Sequence, residues 1–141
     1  MIEFILLVNK QGQTRLAKYY GYKEQQIRVA MEAEIVRKCL ARADNQCSFF
    51  EYKTIKIVYR RYASLFFIMG IDNGENELGI LEFMHNMVET MDKYFDSVCE
   101  LDIMFNLGKA HMLIDEMVTS GCIVETNKAT VMAPLYALDE R

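Results

Sequence analysis

Two adjacent arginines, Arg60 and Arg61, stand inside the apolar stretch "KIVYRRYASLFFIMGI", flanked by Tyr59 and Tyr62. A guanidinium binds a carboxylate through two parallel N–H donors. The pair could therefore recognise an acidic group on a bound peptide or a neighbouring subunit. Successive side chains on a strand face opposite sides. Arg60 then shares a face with Tyr62, and Arg61 with Tyr59, Ala63 and Leu65 if the strand runs regularly. The competing reading is that both arms snorkel to solvent from a strand end.

Catalytic chemistry has little to work with. The chain contains no G-x-x-x-x-G-K-[ST] phosphate loop, no G-x-G-x-x-G and no G-x-S-x-G. His85 lies between Met84 and Asn86 on an amphipathic pattern, where a helix-surface imidazole is the plainer reading, and His111 is read the same way. Asp115, Glu116 and Glu125 fall near the ends of helical segments, where carboxylates face solvent. Cys39, Cys47, Cys99 and Cys122 include no C-x-x-C pair, which argues against zinc. No enzyme, cofactor or metal is expected. The stretch "CELDI" (99–103) alternates acids with apolar residues after a long helical pattern. It reads as a corner with Val98, Leu101 and Ile103 pointing inward, either a packed helix junction or the floor of a groove.

The elements that must position these residues follow from the pattern. "MIEFILLVN", the turn "KQGQ" and "TRLAKYYGY" read as a hairpin. Ile27, Met31, Ile35 and Cys39 then recur every four residues, predicting a helix from about Lys23 to Ala43. Three strands are expected at 47–53, 55–62 and 64–71, with connections short enough to require antiparallel neighbours. Asp72-Asn73-Gly74 turns the chain into a helix with Leu78, Leu81, Met84, Val88, Met91 and Phe95 on one stripe. A further helix carries Leu107, Ala110, Ile114 and Met117, with Gly121 as its stop. The last segment is weakly helical, with Pro134 expected near an end or a bend. The order ββαβββ followed by helices predicts an α+β layer fold: a five-stranded antiparallel sheet covered by helices on both faces.

The 141 residues read as one domain with no linker or repeat. A net charge of −4 without a basic block argues against nucleic acid. The apolar start is broken by Glu3 and lacks the basic opening of a signal peptide. No run approaches the roughly 18 apolar residues of a membrane span. Reduced thiols in the cytosol are the simplest expectation.

The blocks "FILLVNKQGQTRLAKYY" (4–20), "CSFFEYK" (47–53), "KIVYRRYASLFF" (56–67), "ENELGILEFMHNMVETMDKYF" (75–95) and "SVCELDIMFNLGKAHMLIDEM" (97–117) span nearly the whole chain. Over them it resembles the small (sigma) subunits of the heterotetrameric clathrin-type adaptor complexes. "VNKQGQTRLAKYY", "RKCLARADNQCSF" and "GCIVETNKA" are most similar to the small subunits of the fourth adaptor complex. The resemblance implies a longin-like fold with no enzymatic activity. It implies direct packing on a large adaptor subunit, with medium and second large subunits in the same core. Action is expected at the cytoplasmic face of trans-Golgi network and endosomal membranes, touching the membrane only peripherally.

It further implies a pocket for acidic dileucine signals, [DE]-x-x-x-L-[LI], in cargo tails. The matching positions are Tyr62, Leu65, Phe67, Val88, Val98, Leu101 and Ile103 for the leucines, with Arg15 for the upstream acid. Ser97 stands where a well-described relative has asparagine, and so lacks an amide for the peptide backbone. Arg60 and Arg61 are expected to be peptide-channel or interface charges. A free-standing longin-type trafficking regulator is the rival reading. It would be expected to carry a following coiled coil or a prenylation cysteine, and neither is seen up to "LDER".

Overall fold

The run "IEFILLVN" has no polar face, because the strand it forms is covered on both sides. In the computed structural model, which describes residues 1–21, 23–42, 48–62, 64–96, 98–119, 121–123 and 128–139, this run is β1 (Ile2–Asn9). It pairs with β2 (Thr14–Tyr19) on one edge and with β5 (Leu65–Ile71) on the other. β4 (Ile55–Tyr62) and β3 (Phe49–Tyr52) complete an antiparallel sheet in the order β2-β1-β5-β4-β3. Every residue of the central β5 is buried.

Alternation sorts the side chains into two cores. Ile5, Leu7, Val58, Leu65, Phe67 and Met69 point to one face, and Phe4, Leu6, Val8, Ile57, Tyr59, Phe66 and Ile68 to the other. Ile2 breaks parity and joins the first set, because the β1–β5 register shifts between Ile2 and Phe4. Phe4 lies opposite Gly70, where an added Cβ would come within 2.3 Å of the Phe4 ring. Glycine is required there because the ring fills the space.

The second face is covered by α1 (Gln25–Ala41) through Met31, Ile35, Val36 and Cys39. Two phenols tie it down. Tyr19 Oη donates to Glu32 Oε1 at 2.5 Å, and Tyr52 Oη to Glu34 Oε2 at 2.7 Å. Ile27, expected on the buried stripe, is more than half exposed. It lies one turn before Met31, the first residue of the helix buried in this core.

The first face is covered by α2 (Glu77–Phe95), α3 (Glu100–Phe105), α4 (Leu107–Met117) and α5 (Lys128–Asp139). Asn76 caps α2, accepting from the Leu78 and Gly79 amides at 2.9 and 3.3 Å. Asp96, in the left-handed region at φ 54°, ends it. The buried side of α2 is Ile80, Phe83, Met84, Met87, Val88, Thr90 and Met91. It is rotated from the expected stripe: Leu78 is 72% exposed, and Leu81 and Phe95 sit at the margin. The helix meets the sheet and two other helices at once, so its apolar face is broad and a single i,i+4 row does not define it.

Leu107 is likewise exposed at the start of α4, while Leu113 is buried beside Ala110, Ile114 and Met117. After α4 comes a two-stranded ribbon that the sequence pattern did not suggest, β6 (Val118–Thr119) with β7 (Cys122–Ile123). Gly121 turns this ribbon at φ +81°. Its carbonyl accepts the Ile2 amide at 2.8 Å, anchoring the ribbon to β1. Pro134 lies inside α5 rather than at an end or bend. It removes one rung of the helical ladder, while Val131, Met132 and Leu135 hold the helix on the core.

Candidate functional site

β1, β5 and β4 align the site in rows. Asn9 is opposite Leu65, and Leu65 is opposite Tyr62; two residues along, Leu7, Phe67 and Arg60 form the next row on the same face. Val88, Val98 and Ile103 join Leu65 and Phe67 in the core on this face, with Tyr62 packed against them. Six of the expected leucine-binding positions, Tyr62, Leu65, Phe67, Val88, Val98 and Ile103, therefore fall in one core, set by strand register and by the α2–α3 corner.

Asp92, in the last turn of α2, holds that corner. Its Oδ1 accepts the Tyr62 hydroxyl at 2.7 Å and the Val98 amide at 3.0 Å. The hydrogen bond to the carboxylate, with burial, pushes the Tyr62 phenol above its ordinary value. One carboxylate thus joins the end of β4 to the entry of α3, where the Cys99 amide donates to Asp102 Oδ2 at 2.9 Å.

These positions form closed core. Leu65, Phe67, Val88, Val98 and Ile103 are each at most 3% exposed and belong to one buried cluster. Leu101 was expected to point inward with Val98 and Ile103, but is 59% exposed. It precedes Ile103 by two positions on a helix, and residues so spaced do not share a face. Ser97 lies outside the described residues.

Arg15 does not stand free. Its Nε donates to Glu100 Oε1 at 2.7 Å and its Nη2 to Gln13 Oε1 at 2.9 Å. Asn9 Nδ2 also reaches Glu100 Oε1, at 2.8 Å, and Gln13 Oε1 at 2.9 Å. Asn9 Oδ1 accepts the Gln11 and Gln13 amides at 3.0 and 2.9 Å. Asn9 is buried, yet both ends of its amide are satisfied within the hairpin turn and the first turn of α3. Hydrogen bonds from Asn9 and then Arg15 hold the Glu100 carboxyl below the usual glutamate range.

Arg60 and Arg61 diverge as alternation requires, and both are exposed. Arg60 shares the α2 face with Tyr62. Arg61 lies on the α1 face, its guanidinium 5.9 Å from the Phe66 ring centroid. Leu65 is not on Arg61's side: it faces Tyr62 across the hairpin. The two arginines cannot grip one carboxylate together. Arg61 is separated from the expected leucine-binding positions by the sheet itself.

Three residues that brace the candidate site had no clear signal: Asn9, Glu100 and Asp92. Each is a single polar residue in an ordinary local pattern, and each has at least one partner from a distant segment. The closest signal was the alternation of acids in "CELDI".

Elsewhere the chemistry is sparse. A cleft of about 410 Å³ between α2 and β7 is lined by Glu82, Phe83, His85, Asn86, Glu89 and Ile123. Within it His85 Nε2 lies 2.7 Å from Glu89 Oε1, an i,i+4 pair on the helix surface. Burial pushes the Cys39 thiol up to about 12, leaving it neutral and unreactive. Among the described residues no three His, Cys, Asp or Glu side chains are placed to hold a metal ion. No described helix is long and apolar enough to cross a membrane.

Comparison with known proteins matches residues 1–141 to the clathrin adaptor complex small chain family. Over 139 residues the chain is 64% identical to AP-4 complex subunit sigma of Arabidopsis thaliana, covering 99% of this chain and 97% of that one. Over 140 residues it is 56% identical to AP-4 complex subunit sigma-1 of Homo sapiens, with coverage of 99% and 97%. Identity to AP-1 complex subunit sigma-1 of Arabidopsis thaliana is 44% over 140 residues, covering 99% and 87%. Among structures, a chain of a full-length AP-3 complex in a stretched open conformation, itself a homology model, superposes with a TM-score of 0.79. It is 30% identical and covers 99% of this chain and 94% of that one.

Proposed function

This chain belongs to the clathrin adaptor complex small chain family, and from that premise we propose that it is the small subunit of an AP-4-like heterotetrameric vesicle adaptor. Its role is structural rather than catalytic. It assembles with large and medium subunits into a peripheral coat that sorts transmembrane cargo at trans-Golgi network and endosomal membranes. The observation that carries this reading is the match to AP-4 sigma chains over 99% of this chain and 97% of theirs.

The surface supports it. Leu101, Met104, Phe105 and Leu107 lie exposed within seven residues, Phe105 by 78%. Such a concentration of large apolar groups suits a face covered by a partner. A subunit contact on the order of 2,000 Å² or more in total is expected.

Within the assembly, the closed set around Leu65, Val88 and Val98 is the leucine-binding part of an acidic dileucine site, with Tyr62, Phe67 and Ile103 in the same core and Leu101 at its exposed edge; Ser97 is assigned to it by resemblance alone. Arg15 reads the upstream acid, with Arg60 at the margin on the same face. Two buried leucines contribute roughly 1.5–3 kcal/mol each. Opening the closed core subtracts from that, since apparent affinity falls with the fraction of competent protein. A single tail then binds weakly, on the order of micromolar or worse, and avidity on a membrane supplies the rest.

Coexpression tests both levels. The chain is expected to co-purify with AP-4 large and medium subunits and to dissolve better with them than alone. In that core Tyr62→Ala, at a half-buried position away from the exposed apolar face, should leave assembly intact and reduce leucine-dependent binding of an acidic dileucine peptide at least tenfold. Failure to co-purify sinks the subunit assignment. Unchanged peptide binding sinks the slot alone.

A further inference from the structure

We propose that Glu100 sets how much an upstream acid contributes to peptide binding, by occupying Arg15 until a peptide carboxylate takes its place. The inference rests on the dileucine reading above and concerns regulation of that same site.

Glu100 Oε1 sits between two donors, Arg15 Nε at 2.7 Å and Asn9 Nδ2 at 2.8 Å. The ion pair is neither deeply buried nor free: the side chains are 27% and 24% exposed. An external carboxylate can reach it, and on arrival meets a cation whose charge is already neutralised. Replacing one carboxylate with another on the same guanidinium yields little net gain. The acid of the signal is then weakly rewarded, although Arg15 is in place to bind it.

The same contact has a mechanical side. Glu100 is the first residue of α3, and Asn9 and Arg15 flank the β1–β2 turn. The bonds they make hold the start of α3 against the hairpin. α3 carries Leu101 and Ile103, and Ile103 seals the closed set. Asn9 itself lies opposite Leu65. Displacing Glu100 from Arg15 loosens the segment that must shift for leucine side chains to enter. Reading the acid and admitting the leucines become one event.

The test uses the assembled core with the wild-type chain or Glu100→Gln, and two synthetic dileucine peptides differing only in an upstream Glu or Gln. The glutamine variant keeps an oxygen acceptor for Asn9 and Arg15 but removes the competing charge. The preference for the acidic over the neutral peptide is expected to rise about three- to fivefold in Glu100→Gln, the scale of a partly exposed ion pair. An unchanged or smaller preference, with leucine-dependent binding retained, overturns the proposal and leaves the slot standing. That result would make Glu100 a support that merely orients Arg15. If neither peptide binds more tightly than its dialanine counterpart, the slot reading falls and this inference with it.

Should the variant fail to assemble, hydrogen exchange on the wild-type core decides. Saturation with the acidic peptide should speed exchange of the α3 amides relative to the neutral peptide at equal occupancy. Equal rates overturn the proposal.

Discussion

Glu100 and Asp92 do similar work from opposite ends of the α2–α3 corner, each accepting two hydrogen bonds at one carboxylate oxygen from segments far apart in sequence. For Glu100 this has a pH consequence. Its carboxyl is held below the ordinary glutamate value in the folded chain, so the ionised form is favoured by folding. The resulting stabilisation is present above the ordinary glutamate range and is lost as pH falls through it towards the lower folded value. Glu100→Gln removes that increment. Urea midpoints of wild type and variant are therefore expected to differ by a constant amount near neutrality and to converge on acidification below the usual glutamate range. A gap that persists unchanged through that window would show that the ionised carboxylate does not contribute in this way.

Among the elements, β1 and β5 approach with a specific fit. The Phe4 ring occupies the space a Cβ would need at Gly70. Gly70→Ala is expected to cost about 2 kcal/mol by overpacking, read by chemical denaturation. Trimming the ring with Phe4→Leu should relieve part of it, and the double-mutant cycle measures the coupling. Strict additivity would count against the fit.

Most of this architecture was legible in the sequence. Strand alternation, the turn at Asp72-Asn73-Gly74 and the helical periods are local signals, and the five-stranded sheet followed from their order. Helix rotation was less legible. Leu78 and Ile27 match the three- and four-residue helical spacing as well as buried residues do, and only the neighbouring elements decide which row is covered. The β6–β7 ribbon is two residues per strand, too short for alternation to register, and its anchor is the Ile2 amide at the other end of the chain. The candidate site was named as a set of positions through the family resemblance, and Tyr62, Leu65, Val88 and Val98 fall in one core, while their binding role is a proposal. Its closed state was not legible, because packing density has no sequence pattern, and neither was the occupation of Arg15 by Glu100.

At the scale of the molecule, two helical layers cover the sheet and still leave Leu101, Met104, Phe105 and Leu107 in contact with water. A partner that binds only the folded chain stabilises it by mass action. The thermal midpoint of this chain within a coexpressed core is expected to exceed that of the chain alone by about 5 °C or more, measured by scanning calorimetry. Equal midpoints would mean that the apolar face gains nothing from assembly.

The position of β1 between β2 and β5 also shapes the order in which the chain can be built. When the first hairpin leaves the ribosome, its inner edge has no partner. The strand that will cover it, from Leu65 to Ile71, is translated only after a helix and two further strands. For that interval a greasy, hydrogen-bond-hungry ribbon is presented to every nascent neighbour. Sheet closure waits on this distant pairing and is slow compared with the helices, so this edge is open to mispairing for as long as β5 is missing.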